Sequence, residues 1–226
     1  MQSNLLKSVT PVLVLIFLDH ALPQGKCGSG NHETSSGDSI HLKELYPYYV
    51  AGYDFDNLPV VVIEVGHWDY LFVSKNLDKY AGEMDDFRNN FHGCLRKMSQ
   101  LNVTRESEEE ENISGGFALL LDLNNFSLKH FMSSESAKLL LSFWKGFKQF
   151  DDSIAYAFYI NMNAVAENFA LLSKPLMSKA FGRSQLFGTK NTSWIPALQR
   201  KIPTSTLPSW YGGEQDCDQI ELGYCL

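Results

Sequence analysis

Asp122 and His130 stand at the two ends of a polar stretch that follows the apolar run FALLL at 117–121. A carboxylate and an imidazole in that relation could do acid/base work on a bound substrate. No nucleophile or second carboxylate accompanies them. The plainer expectation is that Asp122 caps the loop and His130 lies exposed. Cys94 offers the other reactive atom, in the string HGCLRK at 92–97. A phosphate-cradling thiol needs its arginine at the far end of the loop, but Arg96 follows only two residues later. Cys94 also falls on the apolar face of a helical pattern, which predicts core packing. There is no GxSxG elbow and no P-loop, and Gly115-Gly116 lacks the rest of a dinucleotide fingerprint. The 4 cysteines, Cys27, Cys94, Cys217 and Cys225, form neither a CxxC nor a Cys/His cluster, so no metal site and no cofactor are expected. Cys217 and Cys225 are close enough in the tail to pair in an oxidising compartment.

What would position such groups is a central stretch at 156–180, YAFYINMNAVAENFALLSKPLMSKA. Its start reads as a strand, with Tyr156, Phe158, Tyr159 and Ile160 contiguous. A helical segment follows with Val165, Phe169 and Leu172 spaced for one face. Pro175 suits the first turn of a second short helix carrying Leu176, Met177, Ala180 and Phe181. An apolar helix after a core strand is either buried against the sheet or a lid over an apolar cavity. Met162, Met177 and the phenylalanines could line that cavity or fill a core.

Around this stretch, 48–53 and 59–65 read as a hairpin, turned at Asp54-Phe55-Asp56-Asn57. Asp69 is placed to cap a helix. The clearest helix is 80–101, where Tyr80, Met84, Phe87, Phe91, Leu95 and Met98 recur at three- and four-residue steps. Residues 116–121 read as a central strand buried on both faces. Residues 134–150 form a helix with Ala137, Leu140, Leu141, Trp144 and Phe147 on one face. A short strand at 185–187 and a small helix at 193–201 close the pattern. The order β-β-α-β-α-β-α-α-β-α predicts an α/β fold, a mixed sheet with helices on its faces.

The formal net charge of −7 speaks against nucleic-acid binding. Apolar residues at 44% and aromatics at 13% suffice for a sizeable core. Near the start, Lys7 precedes the apolar run VLVLIFL at 12–18, the layout of a secretory signal and too short to span a bilayer. Residues 1–25 are therefore expected to be signal-like, 26–40 a polar linker, 41–213 the domain and 214–226 a tail. The acidic run 105–112 reads as a solvated connection. Sequons open at Asn102, Asn112, Asn125 and Asn191. Entry into the secretory pathway is the expected address; the alternative is cytoplasmic and peripheral to membranes.

Four blocks carry a family resemblance: YPYYVAGYDFDNLPVVVIEVGHWD, GGFALLLDLNNFSLKHF, AFYINMNAVAENFALLSKPLMS and KIPTSTLPSWYGGE. In order and spacing they resemble the CRAL-TRIO lipid-binding domain, over residues 45–213. The likeness is strongest to arthropod members of the branch that includes the tocopherol-associated proteins. It implies a mixed sheet as the floor of an apolar pocket, a gate helix at 174–181, and one lipid or lipophilic molecule inside. Ser173-Lys174-Pro175 and Gly182 would be its hinges. Ligand contacts are expected from Phe117, Leu119, Leu121, Phe158, Ile160, Phe169, Leu172, Leu176, Met177, Phe181 and Arg183. Phosphoinositide-binding members carry a glutamate before the central strand and a lysine after the gate; these align with Ser153 and Arg183. The family's usual helical N-terminal subdomain has no counterpart in the stretch before the hairpin. The implied protein is a monomeric, non-enzymatic lipid carrier touching membranes transiently. The competing expectations are a protein-interaction module with a degenerate pocket, and a hydrolase using Asp122 and His130.

Overall fold

Residues 42–101, 116–220, 222, 223 and 225 are described in a computed structural model. The signal-like run, the linker, the acidic run, Cys27 and the sequons at Asn102 and Asn112 lie outside them.

Five strands form one sheet in the order β1 (Tyr48–Tyr53), β2 (Pro59–Ile63), β3 (Phe117–Asp122), β4 (Ile154–Met162) and β5 (Ser184–Gly188). β1 and β2 pair antiparallel, and β2, β3, β4 and β5 run parallel. The hairpin is organised by Asp54, whose Oδ1 accepts from the N–H groups of Asp56 and Leu58 at 2.9 and 2.7 Å. Its Oδ2 accepts from Tyr156 Oη at 2.7 Å, which ties the turn to β4.

Helices carry the chain between the parallel strands. α1 (Leu42–Leu45) precedes the hairpin; α2 (Tyr70–Lys75) and α3 (Leu77–Gln100) link β2 to β3. α4 (Ser134–Gly146) links β3 to β4. α5 (Ala164–Ser173) and α6 (Ser178–Gly182) link β4 to β5, and α7 (Asn191–Gln199) follows. Local chemistry fixes the starts. Asp69 Oδ1 accepts from Phe72 N at 2.9 Å, as expected for its cap. Ser133 and Ser136 cap α4 reciprocally, each backbone N–H donating to the other's hydroxyl. Asn163 Oδ1 accepts from both Val165 N and Ala166 N at 3.0 Å.

Alternation along the strands sends side chains into two clusters, one on each face. Val61, Ile63, Phe117, Leu119, Leu121, Ala157 and Tyr159 meet the residues of α1 to α6. Val60, Val62, Ala118, Leu120, Phe158 and Ile160 meet Trp194, Ala197 and Leu198 of α7, then Ile202, Leu207 and Tyr211. Two glycines permit close approach of backbone to backbone. A Cβ on Gly66 would fall 1.7 Å from Asn124 O, and one on Gly213 would fall 1.8 Å from Leu207 O.

Two helical faces are rotated from the sequence expectation. On α4 the buried positions are Ser136, Leu140, Phe143 and Trp144, while Leu141 is exposed. On α5 they are Ala166, Phe169, Ala170 and Ser173, and Leu172 is 70% exposed. The small side chains of Ala166, Ala170 and Ser173 face the core with Phe169, and the larger Leu171 and Leu172 are exposed.

Candidate functional site

The helical face of the sheet is closed at one corner by residues 174–182, a 3-10 turn (Lys174–Leu176) followed by α6. Met177 and Ala180 are buried in the helical-face cluster, and Leu176 and Phe181 pack against it while half-buried. The Phe181 ring lies 6.0 Å from that of Tyr159 on β4 and beneath Lys174 Nζ at 5.7 Å.

Outside this apolar contact, the segment is held by polar groups from the turn before β4. Asp151 accepts from Lys179 N at 3.1 Å and Ala180 N at 2.7 Å, so one carboxylate satisfies the open N–H groups at the start of α6. Lys179 Nζ pairs with exposed Asp152 at 2.6 Å. Arg183, just beyond α6, donates through Nε and Nη2 to Ile154 O at 2.9 and 2.7 Å and through Nη2 to Asp151 O at 2.6 Å. The positions aligned with the phosphoinositide signature thus meet at one corner, but the Arg183 guanidinium is turned onto backbone carbonyls there.

Deeper in, aromatic rings fill the space between the sheet and α2, α4 and α5. Phe169 of α5 lies 5.0 Å from Phe126, 6.0 Å from Phe131 and 5.6 Å from Trp144. Phe126 stacks on His130 at 4.4 Å.

The expected ligand residues divide across the sheet. Phe117, Leu119, Leu121, Phe169, Leu176, Met177 and Phe181 share the helical face. Phe158 and Ile160 lie on the opposite face with α7, because β4 pairs Phe158 with Leu120 rather than with Leu119 or Leu121. Leu172 points outward from the core. The face shared by a parallel pair follows from register, which neither strand reveals alone.

Asp122 is at the C-terminal end of β3, nearly fully buried, with both oxygens engaged. Oδ1 accepts from Asn161 Nδ2 at 2.8 Å and Asn124 N at 2.9 Å; Oδ2 accepts from Tyr211 Oη at 2.8 Å. Burial pushes the Asp122 carboxyl above the ordinary value, with the Glu64 charge adding slightly, while these hydrogen bonds pull the other way. Asn161 takes a left-handed backbone conformation, φ 57°, which an asparagine tolerates. His130 belongs to the other cluster. It is 1% exposed rather than on the surface, because Phe126 covers its ring and Nδ1 engages Ser127. Burial holds its pKa below the ordinary imidazole value. No hydrogen bond joins Asp122 to His130 among the described residues, so the acid/base pair does not assemble. Asp122 does cap its loop.

Cys94 on α3 forms a disulfide with Cys225, Cα–Cα 5.4 Å across 131 residues of sequence. Cys94 is buried in the core as expected, at 3% exposure, and the bond replaces the expected pairing of Cys225 with Cys217. Packing brings the tail back along β1, where Gly223 N donates to Tyr48 O at 2.7 Å, and so places Cys225 against α3.

Asp151 and Tyr70 were not singled out in the sequence, and Trp144 and Tyr159 were read only as members of a helix face and a strand. The acidic pair Asp151-Asp152 before a strand was a usable signal for an external helix cap; the aromatic residues carried none beyond composition.

No curated protein matches the chain. Solved structures do, among them the crystal structure of Sfh5: 14% identity, 71% of this chain and 53% of that chain covered, TM-score 0.46. The chain thus spans about half the length of that structure. The family model described as the CRAL/TRIO domain matches residues 43–213, most of the sequence, and the chain belongs to that family, whose members bind or transfer lipids.

Proposed function

We propose that the chain holds one lipophilic molecule on the helical face of the sheet, with residues 174–182 as its gate, and exchanges that molecule with membranes. The observation that carries this reading is how the 174–182 segment is attached. Its apolar side is buried on the cluster, while its helix start is held by the Asp151 carboxylate and the Lys179–Asp152 pair at the rim. Such a lid opens by breaking a few solvent-facing polar contacts and is recovered by apolar packing. Leu171 and Leu172, 62% and 70% exposed at the end of α5, stand beside Lys174 and supply apolar and cationic contacts for a bilayer surface. The ligand is a phospholipid, phosphoinositide, tocopherol or similar molecule. The protein acts as a monomer without catalysis, in the tocopherol-associated branch.

The test is lipid transfer between vesicles by wild type and Phe181→Asp. A carboxylate at Phe181 must be buried with acyl chain or bilayer when the gate works, which is costly. Expected is a folded protein with transfer lost. Normal transfer, or a large fall in Tm, would count against the gate.

The secretory address is part of the proposal. A disulfide across 131 residues is supported in an oxidising compartment, and the sequon asparagines Asn125 and Asn191 are exposed. A reporter fused after Gly30 should be secreted; retention in the cytosol without glycan points to the cytoplasmic alternative.

A further inference from the structure

β1 is an outer strand of the sheet, and its inner edge is paired with β2. Its outer edge is covered by the end of the chain. Tyr53 O accepts from Thr206 Oγ1 at 3.0 Å, Ala51 O from Gln215 Nε2 at 3.0 Å, and Tyr48 O from Gly223 N at 2.7 Å. Tyr48 Oη donates in turn to Gly223 O at 3.3 Å. These contacts descend β1 as the chain advances, so the segment runs opposite to the strand. Two of the three donors are side chains, so the segment covers the edge without extending the ladder. Ile220 and Leu222 pack on the α7-face cluster, and Cys225 packs on the helical-face cluster. The tail therefore crosses the sheet edge between Leu222 and Cys225, and Gly223 turns there with φ 73°. The Cys94–Cys225 bond buckles its far end to α3.

β1 is a strand that needs such cover. Tyr48–Tyr53 reads YYVAGY, with no charge and no proline, the residues that keep an open edge from pairing. The cover has little packing of its own. Asp216, Asp218 and Gln219 are exposed, and Gln215, Ile220 and Leu222 are only half-buried. A segment held by so few buried contacts opens locally once its covalent tie is cut. The tie can be cut from outside, because Cys225 is half-buried while Cys94 is buried. A dithiol thiolate attacks Cys225 Sγ, and the bond electrons leave on Cys94 Sγ, which takes a proton. The reductant's second thiol then displaces Cys225 as a thiol and closes a cyclic disulfide. Two electrons pass from the reductant to the bridge.

We propose that the tail is a strap over the β1 edge, released by reduction, and that the uncovered edge pairs with β1 of a second copy of this chain. The second copy supplies a strand of the same uncharged composition, opened by the same reduction. Identical edges pair antiparallel about a two-fold axis. The bulge between Val50 and Gly52 confines the new ladder to Tyr48–Val50, so the pair is weak and depends on concentration. The clasped chain remains the monomer.

The experiment compares the oxidised full chain, the same chain in dithiothreitol, and Cys94→Ser/Cys225→Ser without reductant, by sedimentation and hydrogen exchange, with near-UV circular dichroism reporting the fold. The reduced chain and the double variant should stay folded, and their Gly223 amide should exchange at least about 10-fold faster than in the oxidised chain. Both should form dimers as concentration rises, with slowed exchange in the Tyr48–Val50 amides, and reoxidation of dilute wild type should restore the monomer. Loss of the fold on reduction overturns the proposal, because the bridge would then hold the fold and not a cover. So does a monomer at every concentration, or a dimer of equal strength in the oxidised chain. Association of reduced wild type but not of the double variant would assign it to the other cysteines and overturn the strap. Exchange slowed elsewhere than in β1 would overturn the edge.

Discussion

On one face of the sheet, α7 and the 207–213 segment are tied to the strand ends through Asp122, Tyr211 and Asn161. Gln199 Nε2 donates to Gly212 O at 2.7 Å, and Gln215 Nε2 donates to Ala51 O at 3.0 Å, so the closing segment is fastened at several separate points. On the other face, a long helix is fixed by a disulfide at one corner, while at the opposite corner a five-residue α6 is held by carboxylate contacts at the rim. The first face has few ways to open without unfolding. The second has one corner that is covalent and one that is reversible. A sheet closed in this asymmetric way can admit a guest on one side while the other side preserves the fold.

The first way to break the comparison is to free the covalent corner. Replacing Cys94 and Cys225 with serine should cost about 5 kcal/mol, the loop-closure value for a bridge of this separation. Urea unfolding of the variant against oxidised wild type checks this. A loss near zero would mean that the tail is held to α3 by packing alone.

Asp122→Ala attacks the other face. It leaves the Asn161 amide and the Tyr211 hydroxyl buried without their acceptor, which should cost about 3 kcal/mol. The contrast with Tyr70→Phe sharpens the argument: that change removes a polar atom with no hydrogen-bond partner among the described residues and should cost nothing. Equal losses in the two variants, measured by thermal melts, would erase the distinction between the faces.

At the reversible corner, Asp151→Ala should cost only about 1 kcal/mol, the worth of a helix cap. It should nevertheless speed lipid exchange between vesicles several-fold, because a cap lost from the lid shifts the balance toward the open form. Unchanged exchange at reduced stability would make Asp151 a structural cap alone.

Much of this architecture was legible because it depends on local pattern. The Asp54 turn, the Asp69 cap and the long helix face from Tyr80 to Met98 follow from residue type and period, and each stands where the pattern puts it. The sheet faces were harder. Phe158 and Leu119 are equally apolar and equally buried, and only inter-strand register assigns them to opposite sides. The disulfide partner of Cys94 was hidden for the same reason, being set by where the tail returns. His130 shows a third kind of failure: a polar residue in a polar stretch read as surface, although Phe126 and Tyr70 enclose it. The short segment 174–182 was bracketed in the sequence by Pro175 and Gly182, but its polar attachment came from Asp151, a residue on another element.

The smallest effect expected lies in a slope and not in a level. Burial raises the Asp122 carboxyl above its ordinary value of 3.8, so the folded chain binds that proton more tightly than the unfolded chain does. The contribution to stability is therefore fully present below 3.8 and is lost as pH rises through the folded value. Asp122→Asn retains an acceptor oxygen for Asn161 and Asn124, and its amide can donate to the Tyr211 hydroxyl, which accepts. It should fold, and it has no charge to desolvate. The stability difference, variant minus wild type, should consequently rise with pH from the ordinary carboxylate value upward and then level off. Urea unfolding at a series of pH values reads it directly. A difference that falls with pH would mean that the hydrogen bonds from Asn161, Asn124 and Tyr211 outweigh burial, and that the scaffold face gains from the charge it encloses.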